Sequence, residues 1–148
     1  MGWLETVRDK DVCLDTAPII YYIEKPLPDY RKVLDPFFEM VAEGECSAIT
    51  SIMSLMEGLV LLIRNDDKFL IRRFRNFFYH TRIRMVEITS SVAEEAARLR
   101  ATYKDLKGAD AIQLATALYT KADFFLTNDK RLASISGINV LVLDDLKA

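Results

Sequence analysis

The chain has 148 residues, 51% of them hydrophobic, enough to build one core in a single domain over residues 1–148 without disulfide or metal staples. Charged residues make up 28% and the net charge is -2, which excludes a polycation that coats nucleic acid by charge alone. The two cysteines, Cys13 and Cys46, stand in apolar surroundings with no paired metal-binding spacing, so they read as buried core thiols and not as a disulfide framework.

The first residues, MGWLETVRDKD, mix charges of both signs and lack the apolar centre of a signal peptide. Gly2 followed by Thr6 is a chance-level match to an acylation signal. Val12–Leu14 reads as a short apolar strand ending at Asp15. Pro18 then falls in the first turn of a helix running to about Glu24, and Pro26 and Pro28 break the chain. Val33, Phe37, Met40 and Val41 give a helical stripe that stops at Gly44. Cys46–Ile49 reads as a second strand, and Thr50 or Ser51 as the cap of a helix over Ile52–Ile63. That apolar run is too short to span a bilayer and contains Glu57, so a cytosolic protein without a membrane segment is expected.

Asp66 and Asp67 open a further helix whose inner face is Leu70, Phe74, Phe77 and Phe78. Met85–Ile88 is the third strand. Ser91-Val92-Ala93-Glu94 fits a capping box, after which Val92, Ala96, Leu99 and Tyr103 keep helical spacing. Gly108 precedes a helix over Ala109–Tyr119, and Phe124–Leu126 and Val140–Leu143 complete the strands. This alternation predicts a three-layer α/β/α sandwich around a parallel sheet of four to five strands. Such sheets bind ligands beyond the carboxyl ends of their strands, where Asp15 and Asp129 would emerge together.

Four acids stand in apolar or turn-forming contexts: Asp15, Glu57, Asp110 and Asp129. Three have ordinary explanations. Asp15 can cap the helix that carries Pro18, Asp129 can cap a turn over Lys130–Ser134, and Asp110 can favour the positive end of its helix. Glu57 resists, because Met53, Val60 and Leu61 share its face; a buried ion pair is the plain alternative. Together the four predict one cleft for a divalent cation, and carboxylate ligands suit Mg²⁺ or Mn²⁺ better than Zn²⁺. The single histidine, His80, reads as a surface or interface residue.

Four segments carry a family resemblance: an apolar strand ending in Asp15-Thr16, a helix with Glu57, GADAIQLATAL with Asp110, and FFLTNDKRL with Thr127 and Asp129. In their order and over nearly the whole chain they resemble the PIN-domain nucleases. The chain departs from compact members in its longer Asp15–Glu57 and Glu57–Asp110 intervals. The resemblance implies a Mg²⁺- or Mn²⁺-dependent ribonuclease with Asp15, Glu57, Asp110 and Asp129 as catalytic, metal-binding acids. It also implies, for small members of the VapC type, a toxin silenced by an antitoxin protein. Thr16, Thr127 and Asn128 are expected to hold a ligand or water by hydrogen bonds around those acids.

From Arg64 to Arg84 seven Lys/Arg face two acids, a local +5. Arg72, Arg75 and Tyr79 share one helical face there and are the candidate RNA contacts, a solvated amphipathic face being the plain alternative. The apolar surplus of Val33–Val41 and Ile52–Ile63 predicts a homodimer. Two other functions compete. One is a non-catalytic module that binds metal for stability, or RNA. The other is a phosphatase with Asp15 as nucleophile, against which Ala17 stands where haloacid-dehalogenase-like enzymes need a second Asp.

Overall fold

In the computed structural model, which describes residues 2–24 and 27–147, five strands form one sheet in the order β3-β2-β1-β4-β5. They are β1 (Asp11–Leu14), β2 (Ser47–Ser51), β3 (Arg84–Val86), β4 (Phe124–Thr127) and β5 (Val140–Val142), and every pairing is parallel. The helices are α1 (Trp3–Val7), α2 (Thr16–Glu24), α3 (Pro28–Ala42), α4 (Met53–Arg64), α5 (Lys68–His80), α6 (Ser90–Thr102) and α7 (Gly108–Thr120). Two 3₁₀ turns follow β4 and β5, at Lys130–Ser134 and Leu143–Leu146. Pro26, expected to break the chain, lies outside the described residues.

Period-two alternation builds the layers. Val12 and Leu14 of β1 and Leu126 of β4 join an apolar cluster with α1 to α5, while Cys13 and Phe125 between them join a second cluster with α6 and α7. The sheet is thus covered on both faces, as the sandwich reading requires. Both cysteines are buried and free, and burial pushes their thiols up, that of Cys46 to about 11. Gly58 lets α4 and α5 approach: a methyl group in its place would overlap the buried Phe74 ring.

Several boundaries differ from the sequence reading, each for a tertiary reason. β2 runs on through Thr50 and Ser51 because both have partners in β3, at Met85 and Val86. Neither caps α4 in the usual way; Ser51 instead accepts from the Met53 N–H at 3.1 Å. β3 starts one residue earlier than expected and ends at Val86, where β2 ends and leaves Glu87 and Ile88 nothing to pair with. The cap of α6 is Thr89, whose hydroxyl accepts from the Val92 N–H, so the capping box expected at Ser91 does not form. Asp67 caps α5 as expected, accepting from the Leu70 N–H.

The stripe Val33, Phe37, Met40 and Val41 is buried in the chain's own core, so the apolar surplus expected on that helix is not free surface. The surplus on α4 is free: Met56, Leu61 and Ile63 are 57%, 59% and 60% exposed. No helix among the described residues is long and apolar enough to cross a membrane.

Candidate active site

The strand order reverses at the centre of the sheet: β2 and β3 extend it from one side of β1, β4 and β5 from the other. A reversal of this kind leaves a crevice at the carboxyl ends of the two central strands. Asp15 follows β1 directly, and Thr127 closes β4 beside it. The Thr127 hydroxyl donates to Asp15 Oδ2 at 2.7 Å, and the Thr16 N–H donates to Asp15 Oδ1 at 2.8 Å. The Asp129 N–H in turn donates to Thr127 Oγ1 at 3.0 Å, which fixes the direction of the Thr127 proton toward Asp15.

Burial first, and then the charges of Asp110 and Glu57, raise the Asp15 carboxyl from 3.8 to about 6 against the pull of its two hydrogen bonds. Asp110, in the first turn of α7, is raised too, by burial first and then by Asp129 and Glu57, with Arg131 and Lys107 opposing. Charge thus links Asp15 with Asp110 and Glu57, and reaches Asp129 through Asp110.

Glu57 is tied in from α4. Its Oε1 accepts from the Thr16 hydroxyl at 2.7 Å, a hydroxyl clamp, and Glu57 has no ion pair among the described residues. Behind that clamp lies a buried chain of polar groups; the Thr16 hydroxyl also has Ser54 Oγ within reach at 3.1 Å, but the nearer, charged Glu57 takes its proton. Thr50 donates to the Leu14 carbonyl at 2.8 Å, so Ser54 must donate to Thr50. Ser54 and Thr16 have then spent their protons, and both must accept from Gln113 Nε2, at 2.8 Å and 3.1 Å. Glu57 thereby dictates which way the Gln113 amide faces. The opposite end, Gln113 Oε1, is the buried side-chain atom left without a partner among the described residues.

Asp129 stands apart from this group. It caps the turn over Lys130–Ser134 through the Arg131 N–H, and both its oxygens accept from the Arg131 guanidinium, at 3.0 Å and 2.6 Å. Arg131 holds its carboxyl below the usual range. Asn128, expected to face the acids, is engaged elsewhere: its amide donates to the Tyr30 hydroxyl and its carbonyl accepts from the Asp144 N–H. Arg72, Arg75 and Tyr79 lie on the exposed side of α5, opposite buried Phe74 and Phe78, and neither arginine has an ion pair among the described residues.

The donor set is carboxylate and hydroxyl oxygen, without thiolate or imidazole, which fits a hard divalent cation. The expected convergence is incomplete, however. Among the described residues no group of three acids stands close enough to hold one ion; Arg131 holds Asp129, and hydroxyls hold Asp15 and Glu57.

Thr50, Ser54, Gln113 and Arg131 were not among the residues expected at the site. Gln113 is a long amide in an otherwise apolar helix, and Ser54 lies one turn before Glu57; both signals are present in the sequence. Arg131 two residues beyond an acid carries no such signal.

A parallel three-layer sandwich with acids along the carboxyl edge at its switch point defines an α/β domain with an acidic carboxyl-edge site. The PIN domain family model matches residues 12–138, and the chain belongs to the PIN domain family. No curated protein matches it at significant sequence similarity.

Among solved structures, VapBC2 from Rickettsia felis bound to a promoter DNA fragment is similar at a TM-score of 0.71 and 17% identity, over 89% of this chain and 98% of that one. A toxin–antitoxin complex from Klebsiella pneumoniae gives 0.67 and 23%, over 89% and 97%. Mycobacterium tuberculosis VapC20, a toxin that cleaves the sarcin–ricin loop, gives 0.59 and 16%, over 85% and 90%. At these identities the likeness concerns the fold.

Proposed function

We propose that this protein is a metal-dependent endoribonuclease and the toxin of a toxin–antitoxin pair. The observation that carries the reading is Asp15: a carboxylate raised to about 6 at the switch point, held by donors and pressed by two further acids, with no cation among its partners in the described residues. Membership of the PIN domain family supports nuclease chemistry, and the likeness to VapBC complexes and to a toxin that cleaves the sarcin–ricin loop supports RNA as substrate and an antitoxin as partner.

Mg²⁺ or Mn²⁺ is the cofactor in this reading, with Asp15, Glu57, Asp110 and Asp129 as the acids that hold it. Such an ion lowers the pKa of a bound water and offsets charge on the phosphate. The chain's own residues prepare the place. Thr127 and the Thr16 N–H fix both oxygens of Asp15 in orientation. The Thr16 hydroxyl orients Glu57 through Oε1, and the other oxygen has no hydrogen-bond donor among the described residues. Asp110 brings a carboxylate from the positive end of α7, and Arg131 keeps Asp129 ionised.

The exposed basic face of α5, with Arg72, Arg75 and Tyr79, carries the RNA backbone in this reading. The exposed apolar side of α4 pairs two copies or seats the antitoxin; sedimentation of the pure chain as a monomer at all concentrations would rule out the homodimer.

Purified protein is expected to cut single-stranded RNA in Mg²⁺ or Mn²⁺ and to stop in EDTA, and Asp110→Asn to lose at least about 100-fold in rate, the scale of removing one well-placed charge-stabilising group. Charge reversal at Arg72 and Arg75 is expected to weaken RNA binding and flatten its salt dependence by about one unit for each phosphate no longer neutralised. A parent that binds RNA but never cuts it points to the second reading, a non-catalytic RNA-binding module. The incomplete gathering of the acids is the observation that favours that alternative.

A further inference from the structure

A cavity of about 300 Å³ opens next to Asp110, between the end of α6, the loop 104–107 and the turn that carries Arg131. Its volume is at the small end of ligand sites and suits one nucleoside, not a strand. Buried Leu106, Leu132 and Ile135 give it an apolar floor. Tyr103 forms a wall, and its ring is held in place because its hydroxyl bonds Ser136 Oγ and accepts from the Ser136 N–H, both at 3.0 Å. A flat aromatic base gains most against such a surface.

The rim is polar and asymmetric. Asp105 offers a carboxylate, and Ser134, whose proton goes to the Arg131 carbonyl, offers an oxygen that can only accept. Lys104, without an ion pair among the described residues, and Arg131 are the cations at the same opening.

We infer that this cavity is a base-binding subsite that seats an amino-bearing nucleobase (adenine, cytosine or guanine) beside the phosphodiester to be cut. The inference rests on the nuclease reading for its place in the reaction, but not for the binding itself. Acceptors at the rim meet the exocyclic amino groups of these bases, as carboxylates do with cytosine N4. Uracil lacks that amino group: its one edge donor, N3–H, lies between two carbonyl oxygens that the Asp105 carboxylate repels, so it binds more weakly. Lys104 and Arg131 take the flanking phosphate, which positions the nucleotide without reading it. Asp110 is common to the cavity and to the acid group, so a nucleotide seated here has its phosphate toward the acids.

Nuclear magnetic resonance of the full chain in EDTA, with 5′-AMP, CMP, GMP and UMP as probes, tests this directly. Amides of residues 103–106 and 131–135 are expected to shift with the three amino-bearing nucleotides, and UMP to bind at least fivefold more weakly. Asp105→Lys, at an exposed position, is expected to bring UMP level with CMP. Ile135→Trp, which fills the floor, is expected to remove nucleotide binding and to raise the KM for RNA about tenfold with kcat within about twofold. Unmoved amides, or UMP binding as well as CMP in the parent, overturn the subsite. If nucleotides bind as described and no RNA is cut, the nuclease reading fails while the subsite stands. If RNA is cut and both variants leave KM and base preference unchanged, the subsite fails while the nuclease reading stands.

Discussion

Asp15→Asn is expected to abolish RNA cleavage and, in EDTA at pH 7.5, to make the protein more stable. The Asp15 carboxyl moves from 3.8 to about 6 on folding, mainly by burial. A raised acid binds its proton more tightly in the folded chain, so between roughly pH 4 and 6 the fold loses stability as pH rises, and above 6 the whole loss is present. Two units correspond to about 3 kcal/mol.

Asparagine removes that cost but returns part of it. Its amide nitrogen cannot accept, so one of the two donors on Asp15, Thr127 or the Thr16 N–H, goes unpaired at about 1 kcal/mol. The net gain of about 2 kcal/mol corresponds to a melting temperature higher by about 5 °C for a chain of this size. At pH 4, where the parent keeps its proton, the gain should vanish. Saturating Mn²⁺ should stabilise the parent and not the variant, by about 2.7 kcal/mol at a hundredfold excess over Kd, and so reverse their order. Thermal melts at the two pH values, with and without Mn²⁺, decide it. A variant that is less stable at pH 7.5 in EDTA means that Asp15 is not the strained acid described here, and one that still cuts RNA removes it from the chemistry.

Gln113→Met is expected to lower kcat about 10- to 100-fold, the usual effect of losing a residue that orients a metal-binding group, while KM stays within about twofold. Gln113 touches none of the four acids directly. It acts by donating into Thr16, which turns the Thr16 proton outward, where the Glu57 carboxylate at 2.7 Å is a nearer and stronger acceptor than Ser54 Oγ at 3.1 Å. Thr16→Val should therefore show a similar loss, and the double variant no more than the larger of the two. Stability should change little, since methionine fills a similar volume and removes the unpaired Oε1. Losses that multiply in the double variant would mean that Gln113 and Thr16 act separately, and a fully active Gln113→Met would leave Gln113 with no part in catalysis.

What the sequence disclosed was the part set by short-range pattern. Val12–Leu14 ending at Asp15, the stripe of α3 and the helix of Asp110 all follow from local periodicity, and periodicity survived folding. Boundaries failed where partners far along the chain decide them. Thr50 and Ser51 look like caps on their own, yet strand β3 claims both. The five-residue helix α1 was not expected, being too short to hold by itself; Trp3 stacks on Phe37 with ring centroids 5.3 Å apart.

At the site, the acids were legible as charges in the wrong surroundings. Their donors were legible only for Thr16 and Thr127, which adjoin or precede an acid. Asn128 has the same credentials by position but turns toward Tyr30 and Asp144, a choice made by the packing of α3 and the last turn. The pairing of Asp129 with Arg131 depends on the turn geometry that brings a side chain two residues away back onto the carboxylate.

The central place of β1 has a consequence for synthesis. Asp15 is made early, but its partner Thr127 comes 112 residues later, and β1 needs β4 along its whole second edge. At about 5–20 residues per second, the ribosome takes roughly 6–20 s to deliver that edge. Until then the sheet cannot close, and contacts so distant along the chain also form slowly. A nascent chain is thus without the Asp15–Thr127 contact until β4 has been made, and any activity of this site would begin only after that point.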